Sequence, residues 1–192
     1  MGGIFVAPHR VLYELRARPV WFGALVLVTL AAVIAAAFTP EEYLLERVRD
    51  PVDRLGRPVQ VTSDAPTVVF WGRILQMFSA AAMQPMIVLG LAGVLALLGR
   101  YLPRGDPRFR HHMAVASHAL LIPAVGGLFL LLLPTYIPAF RLLDTVDPFT
   151  VWGLAVAGLG AAVLHGASPW RPIGVLVGVY LLAALGLAAL PG

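Results

Sequence analysis

Arg100-Tyr-Leu-Pro-Arg-Gly-Asp-Pro-Arg-Phe-Arg-His-His112 is the most basic run of the chain, and it leads directly into Met-Ala-Val-Ala-Ser-His-Ala-Leu-Leu-Ile-Pro123. The run holds four arginines and one acid, and long apolar segments lie on both sides of it. Basic loops stay on the cytoplasmic side of a membrane. This stretch therefore predicts how the apolar segments around it are oriented.

The composition is that of a membrane protein. Of the 192 residues, 59% are hydrophobic and 12% are charged, and the mean hydropathy is +0.85. A soluble domain carries about twice that charged fraction. Several long apolar stretches hold almost no charge, which is typical of transmembrane helices. The sequence predicts an all-α integral membrane protein built as one domain.

Residue types that are missing or overused exclude several classes of function. The chain has no cysteine, which excludes disulfide scaffolds and cysteine-ligated zinc or iron–sulfur sites. All fourteen basic residues are arginine, a bias that predicts a prokaryotic source. The arginines flank apolar segments instead of forming one polar face. Contact with membrane lipids explains them better than contact with nucleic acid.

Residues 1–19 are predicted to form a cytoplasmic interfacial segment. Its apolar residues alternate with charged ones, so it forms either a short helix lying on the membrane surface or a frayed tail. The apolar run that follows, residues 20–38, is long enough to span a bilayer and lacks a cleavage pattern. A membrane span is therefore favoured over a signal peptide.

The rest of the chain, residues 20–190, is predicted to be a five-span domain. An outer loop with a short amphipathic helix occupies residues 39–66, and Arg73 is expected near the outer interface. Gln84-Pro85 predicts a kink that either lines a path or is absorbed by neighbouring helices. The predicted spans are about 20–38, 77–98, 113–133, 149–164 and 173–190.

Loop charges agree on one topology. The N-terminal segment, the basic stretch and residues 165–172 are assigned to the cytoplasm, and the more acidic loops to the outside. An odd number of spans follows, with the N-terminus cytoplasmic and the C-terminus external. The predicted location is the cell membrane, as a multi-pass protein of a prokaryotic inner or plasma membrane.

Small residues recur on the last two predicted spans. Close backbone approach at such positions drives helix association in lipid. We expect these two helices to pack tightly, or two copies of the chain to form a homo-oligomer. The residues concerned are Gly153 with Ala157 and Ala161, Gly158 with Ala162, and Gly174 with Gly178.

Few residues in the sequence have the chemistry of a catalytic or metal site. His111, His112, His118 and His165 are the only plausible metal or haem ligands, and we assign no metal or cofactor to them. We interpret His111 and His112 as interfacial and expect His118 to make an interhelical hydrogen bond. The predicted spans contain no carboxylate, and no catalytic motif is present. The sequence therefore predicts no enzyme.

Three motifs resemble the bacterial members of the Yip-domain family of five-span membrane proteins. Ala7-Pro8 to Pro19 looks like the family's entry into its first span. Phe109 to Pro123 is similar to its passage from a loop into a span. Asp147-Pro-Phe-Thr-Val-Trp152 resembles its D-x-F-x-φ-W signature. The motif positions are Pro8, Pro19, Pro123, Asp147, Phe149 and Trp152.

The resemblance implies a five-helix membrane domain with a cytoplasmic N-terminus. Eukaryotic relatives bind Rab-type GTPases, but the segment before the first span is very short here, so GTPase binding is not carried over. We predict a non-enzymatic scaffold or adaptor that contacts lipids or partner proteins. The alternative is a small transporter or permease component. The residues predicted to make lipid or partner contacts are Arg104, Arg108, Arg110, His111 and His112.

Overall fold

The computed structural model describes residues 3–41, 44–45, 65–102, 105, 107–132 and 146–188. These residues are mostly helical, and no strand occurs among them. The helices are α1 (Gly3–Val6), α2 (Pro8–Ala17), α3 (Phe22–Ala37), α4 (Ala65–Gly99), α5 (Phe109–Ala119), α6 (Leu121–Leu132), α7 (Pro148–His165) and α8 (Trp170–Ala188).

Four helical stretches in the described part of the chain are long and apolar enough to cross a membrane. They are Pro66–Gly99, Phe109–Phe129, Pro148–His165 and Trp170–Ala188. The first predicted span is shorter than expected, because α3 has 16 residues and covers Phe22–Ala37 instead of 20–38. The residues before it, from Pro19 to Trp21, are not helical. A span requires roughly 20 residues in a perpendicular crossing.

The helix α4 is a single unit of 35 residues that continues through Pro85. It begins at Ala65, well before the predicted start at about 77, and includes Arg73. Residues 74–99 carry no charge. Roughly 40 Å of helix therefore separate Arg73 from Arg100, which is about the distance between the two headgroup layers of a bilayer. Most of the predicted outer loop, 39–66, lies outside the described residues.

The third predicted span, 113–133, is two helices with a turn at Leu120 between α5 and α6. Pro123 explains the break, because it has no N–H to donate to the Ala119 carbonyl and its ring crowds that position. Gly153 of α7 packs against this point: a Cβ there would lie 2.9 Å from Pro123 Cδ and 3.1 Å from the Ala119 oxygen. Only a glycine lets α7 approach so closely.

The helix α5 lies at the centre of the bundle. It contacts α2, α3, α4 and α7, and every residue from His112 to Ala119 is buried. Two of its polar side chains bond within the helix, since Ser117 Oγ and His118 Nδ1 lie 3.2 Å and 2.9 Å from the Ala114 carbonyl. Within the described part of the chain His118 makes no hydrogen bond to another helix, so the interhelical bond expected for it is not confirmed.

The N-terminal residues are helical and belong to the protein core. Ile4, Leu12 and Leu15 are buried in the same cluster as α5 and α7. Arg16 Nη1 donates to the Val163 carbonyl at 3.0 Å, near the end of α7. Cations are favoured at helix C-termini. The helix α2 thus packs on the bundle, and its buried side chains face protein where a lipid surface was expected.

The predicted small-residue faces of α7 have different partners. Gly158 faces α8, because a Cβ on it would lie 2.7 Å from Ile173 Cα. Gly160 and Gly153 face α5 and α6 instead. On α8, a Cβ added to Gly174 or Gly178 would have no atom within 4 Å. Tight packing of the last two helices therefore depends on Gly158, while the other face of α7 holds the central helix.

Candidate functional site

Three segments that are distant in sequence meet at one end of the bundle. Gly105 lies against α7, where a Cβ would be 3.0 Å from the Leu164 carbonyl oxygen. Leu12 of α2 packs against Gly160 on the same helix. The N-terminal helices, the turn between α4 and α5, and the turn between α7 and α8 therefore share one end. We call it the arginine-rich end.

Charge is divided unevenly between the two ends. Of the eight arginines that the structure describes, seven belong to the segments of the arginine-rich end, and the one described acid there is Glu14. The opposite end holds Arg73 and the described acids Glu41 and Asp147. The seven arginines are Arg10, Arg16, Arg18, Arg100, Arg108, Arg110 and Arg171.

The residues predicted to make contacts fall into two groups. Arg108 and Arg110 are exposed at the start of α5, and His111 is half-buried beside them. Arg104 lies outside the described residues. His112 is different, because only 3% of it is exposed. One residue turns a helix by about 100°, which carries His112 from the surface to the interior. Its assignment as a surface contact is therefore wrong.

His112 and His165 form a buried pair that joins α5 to the end of α7. Their Nε2 atoms lie 3.3 Å apart, and His165 is 4% exposed. One ring must donate an N–H and the other must accept it, so the pair holds opposite tautomers. Both Nδ1 atoms are buried and have no partner among the described residues. In the part of the chain that the structure describes, His112, and not His118, is thus the histidine that makes a hydrogen bond between helices.

The geometry of the pair is that of a hydrogen bond. The ring centroids are 5.5 Å apart. This distance exceeds the separation of the Nε2 atoms by about twice the distance from a ring centroid to its own Nε2, so each Nε2 points nearly straight at the other ring. No group of three metal-binding side chains occurs among the described residues.

A glycine makes room for the pair. A Cβ on Gly99 would overlap the His165 ring, so the last residue of α4 has to be glycine for the ring to lie there. Beside the pair is a cavity of about 420 Å³. Its lining residues include Gly99, Arg100, Gly105, Pro107, Phe109, His112 and His165.

The prolines of the three motifs mark helix boundaries. Pro8 is the first residue of α2, where its missing N–H costs nothing and its fixed φ favours the helix. Pro19 lies just beyond the end of α2 and prevents its continuation. Pro123 separates α5 from α6. Each of these positions has a structural role in the backbone.

Asp147 caps α7. Its carboxylate accepts hydrogen bonds from the N–H groups of Phe149 and Thr150, at 2.9 Å and 3.0 Å, and from the Thr150 hydroxyl. The Phe149 ring packs where a Cβ on Gly126 would lie, and Trp152 is half exposed. The signature Asp147-Pro-Phe-Thr-Val-Trp152 therefore starts one helix and sets its contact with α6.

Two features of this end had no signal in the sequence. The bond from Arg16 to the Val163 carbonyl joins residues 147 positions apart, and a backbone carbonyl has no sequence signature. The packing of His165 on Gly99 likewise depends on how α4 and α7 meet. The sequence shows the neighbouring residues His111 and His112, but it does not indicate that His165 is the partner of His112.

Comparison with known proteins agrees with these motifs. The model of the Yip1 domain matches residues 2–190, nearly the whole chain. No match was found among curated proteins, and none among solved structures. The chain belongs to the Yip1 domain family.

Proposed function

We propose that the protein is a non-enzymatic membrane scaffold whose arginine-rich end contacts anionic lipid headgroups or a cytoplasmic partner. The observation that carries the proposal is the clustering of seven described arginines, with one acid, at a single end of the bundle. By the positive-inside rule this end is cytoplasmic. The anionic cytoplasmic leaflet attracts such a surface by about 1 kcal/mol for each arginine near it.

The cavity beside the histidine pair supports the same assignment. Arg100 lines it, and it lies at the start of α5, where free N–H groups and the helix dipole favour an anion. The exposed Arg108 and Arg110 extend this positive surface outward. We propose a five-span topology with α3 as the first span, in the plasma membrane of a prokaryote.

The proposal is tested by replacing Arg104, Arg108 and Arg110 with glutamine in the full chain. We expect loss of partners crosslinked in native membrane, or loss of the enrichment of anionic over zwitterionic lipid around the reconstituted protein. The matched control is the triple lysine variant, which keeps the charge. Unchanged partners together with unchanged lipid selectivity in the glutamine variant would refute the proposal.

The second candidate is a small transporter component. It is favoured by a groove within the membrane-spanning part, lined by polar residues of α4 that include Gln76 and Gln84. Polar groups in a membrane span often mark a path. A flux screen in proteoliposomes tests this candidate, and a folded protein that moves none of the solutes would count against it.

A further inference from the structure

The scaffold function leaves unexplained a groove between α3, α4 and α6. Its volume is about 500 Å³. Small residues form most of its wall: Ala31, Ala32, Ala35, Ala36, Ala80, Ala124 and Gly127.

One face of α4 supplies the polar side of the groove. Arg73, Gln76 and Ser79 follow each other at intervals of three residues, so they lie on the same face of the helix. Gln76 and Ser79 line the groove. Arg73 lies one turn further toward the end of the bundle and donates from Nη2 to the carbonyl of Thr39, which also lines it, at 3.3 Å.

Two of these polar groups have no hydrogen-bond partner in the part of the chain that the structure describes. They are Arg73 Nε and Gln76 Oε1, both of which are buried, whereas Ser79 Oγ donates to the Gln76 carbonyl. An unsatisfied buried polar group costs about 1–3 kcal/mol. Which amide atom of Gln76 faces the groove is set by its partner, so it can donate to a carbonyl oxygen. The Arg73 guanidinium, which only donates, therefore suits an acceptor oxygen such as that of a phosphate, and the Gln76 amide can donate or accept a hydrogen bond.

The depth of these groups matches the layers of a bilayer. Arg73 lies roughly 40 Å along α4 from Arg100, which places it among the headgroups of the leaflet opposite the arginine-rich end. Gln76 lies about 4.5 Å deeper. Deeper still the wall is mostly apolar, with Ala80 and Met83, and Gln84 is the polar side chain there. This order is the order of phosphate, glycerol ester and acyl chain in a glycerophospholipid.

We propose that the groove binds one glycerophospholipid, with its phosphate at Arg73, an ester carbonyl at Gln76 and an acyl chain along Ala31, Ala35 and Gly127. The charge of Arg73 complements the phosphate, and arginine is well suited to it. The acyl chain fills space that the small residues leave. This site is at the opposite end from the basic surface and does not depend on the scaffold function.

Gly127→Leu tests the acyl part of the site. No atom lies within 4 Å of a Cβ on Gly127, so the leucine fills the groove without disturbing the helices. Gly90→Leu is the matched control, because Gly90 also has open space around it but lies on α4 outside the groove. Unfolding curves and gel filtration establish that both variants fold.

The full chain is taken from vesicles of equal parts phosphatidylcholine and phosphatidylglycerol into mild detergent, and retained lipid is counted by native mass spectrometry. We expect one phospholipid per chain in the wild type and in Gly90→Leu. Loss of a hydrogen bond to a charged group predicts at least about tenfold weaker retention in Arg73→Gln, and Gly127→Leu should lose the lipid as well. Added diacylglycerol, which has no phosphate, should not displace it.

Two results would overturn the proposal. One is equal lipid retention in Gly127→Leu and Gly90→Leu. The other is a dimer that Gly127→Leu alone disrupts, because a second copy of the chain would then fill the groove. Should Arg73→Gln fail to fold, the glycine pair still decides the outcome.

Discussion

Gly99 lies directly against the His165 ring, and His165 in turn holds His112 by the Nε2 contact of 3.3 Å. There is no space for a Cβ atom at position 99. The contact between α4, α5 and α7 therefore requires glycine at this position. The sequence shows Gly99 as one of 19 glycines. Only the packing of α7 against α4 distinguishes it from Gly90, which faces open space.

Gly99→Ala is expected to lower the free energy of unfolding by about 1–3 kcal/mol, because overpacking forces the His165 ring to move. The measurement is denaturant unfolding in detergent, followed by far-ultraviolet circular dichroism. Gly90→Ala is the matched control and should keep or slightly raise stability, since alanine favours helix. Equal stabilities of the two variants would contradict this account of the pair.

At the level of single helices, the helix boundaries follow from short local signals. Asp147 and Pro148 start α7 by capping and by a fixed φ, and Gly166 ends it with a φ of +61°. These are contacts between near neighbours, so the sequence carries them. The docking of a helix on the bundle is different. The helix α2 is held by Arg16 on α7 and by the buried Leu12 and Leu15, contacts that no local pattern encodes.

Asp147→Ala should destabilise the protein by about 0.5–2 kcal/mol, because two N–H groups at the start of α7 lose their acceptor. Asp147→Asn keeps a side-chain oxygen and should recover most of that loss. Unfolding in detergent measures both variants. If Asp147→Asn is as unstable as Asp147→Ala, the loss of stability comes from the lost charge and not from the lost capping hydrogen bonds.

Arg16→Ala should release α2 from α7, since the bond to the Val163 carbonyl is lost. We expect faster amide hydrogen exchange throughout Pro8–Ala17, with α7 little changed. Arg10→Ala is the control on the same helix, because Arg10 is exposed and pairs with Glu14, its neighbour on α2. Similar exchange in the two variants would argue against a role for Arg16 in docking.

In the whole molecule, the fold gathers the charges of separate loops at two ends of the bundle, and the two ends differ in their net charge. The N-terminal helices, the turn after α4 and the turn after α7 come together, although they are far apart in sequence. The sequence predicts the same grouping from charge alone. The structure adds that these segments touch, and that the basic stretch continues into the most deeply buried helix of the bundle.

The absence of native cysteine makes the topology directly testable. Single cysteines at Tyr101 and Trp170, which are 82% and 79% exposed, should react with a membrane-impermeant maleimide only after the cells are permeabilised. A cysteine at Glu41, on the opposite end, should react in intact cells. Labelling of Tyr101→Cys and Trp170→Cys from different sides would contradict the shared end.

The sequence by itself determined the membrane environment, the helical class, the family and the approximate bounds of α7. Each of these depends on composition, on hydropathy over about twenty residues, or on caps and prolines that act within one turn. The tertiary structure alone decided that His112 turns inward to His165, that Arg16 holds α7, and that α3, α4 and α6 leave a groove beside Gln76. These contacts depend on which helix faces meet. In lipid, where apolar side chains gain nothing by leaving the solvent, close packing of small residues chooses those faces.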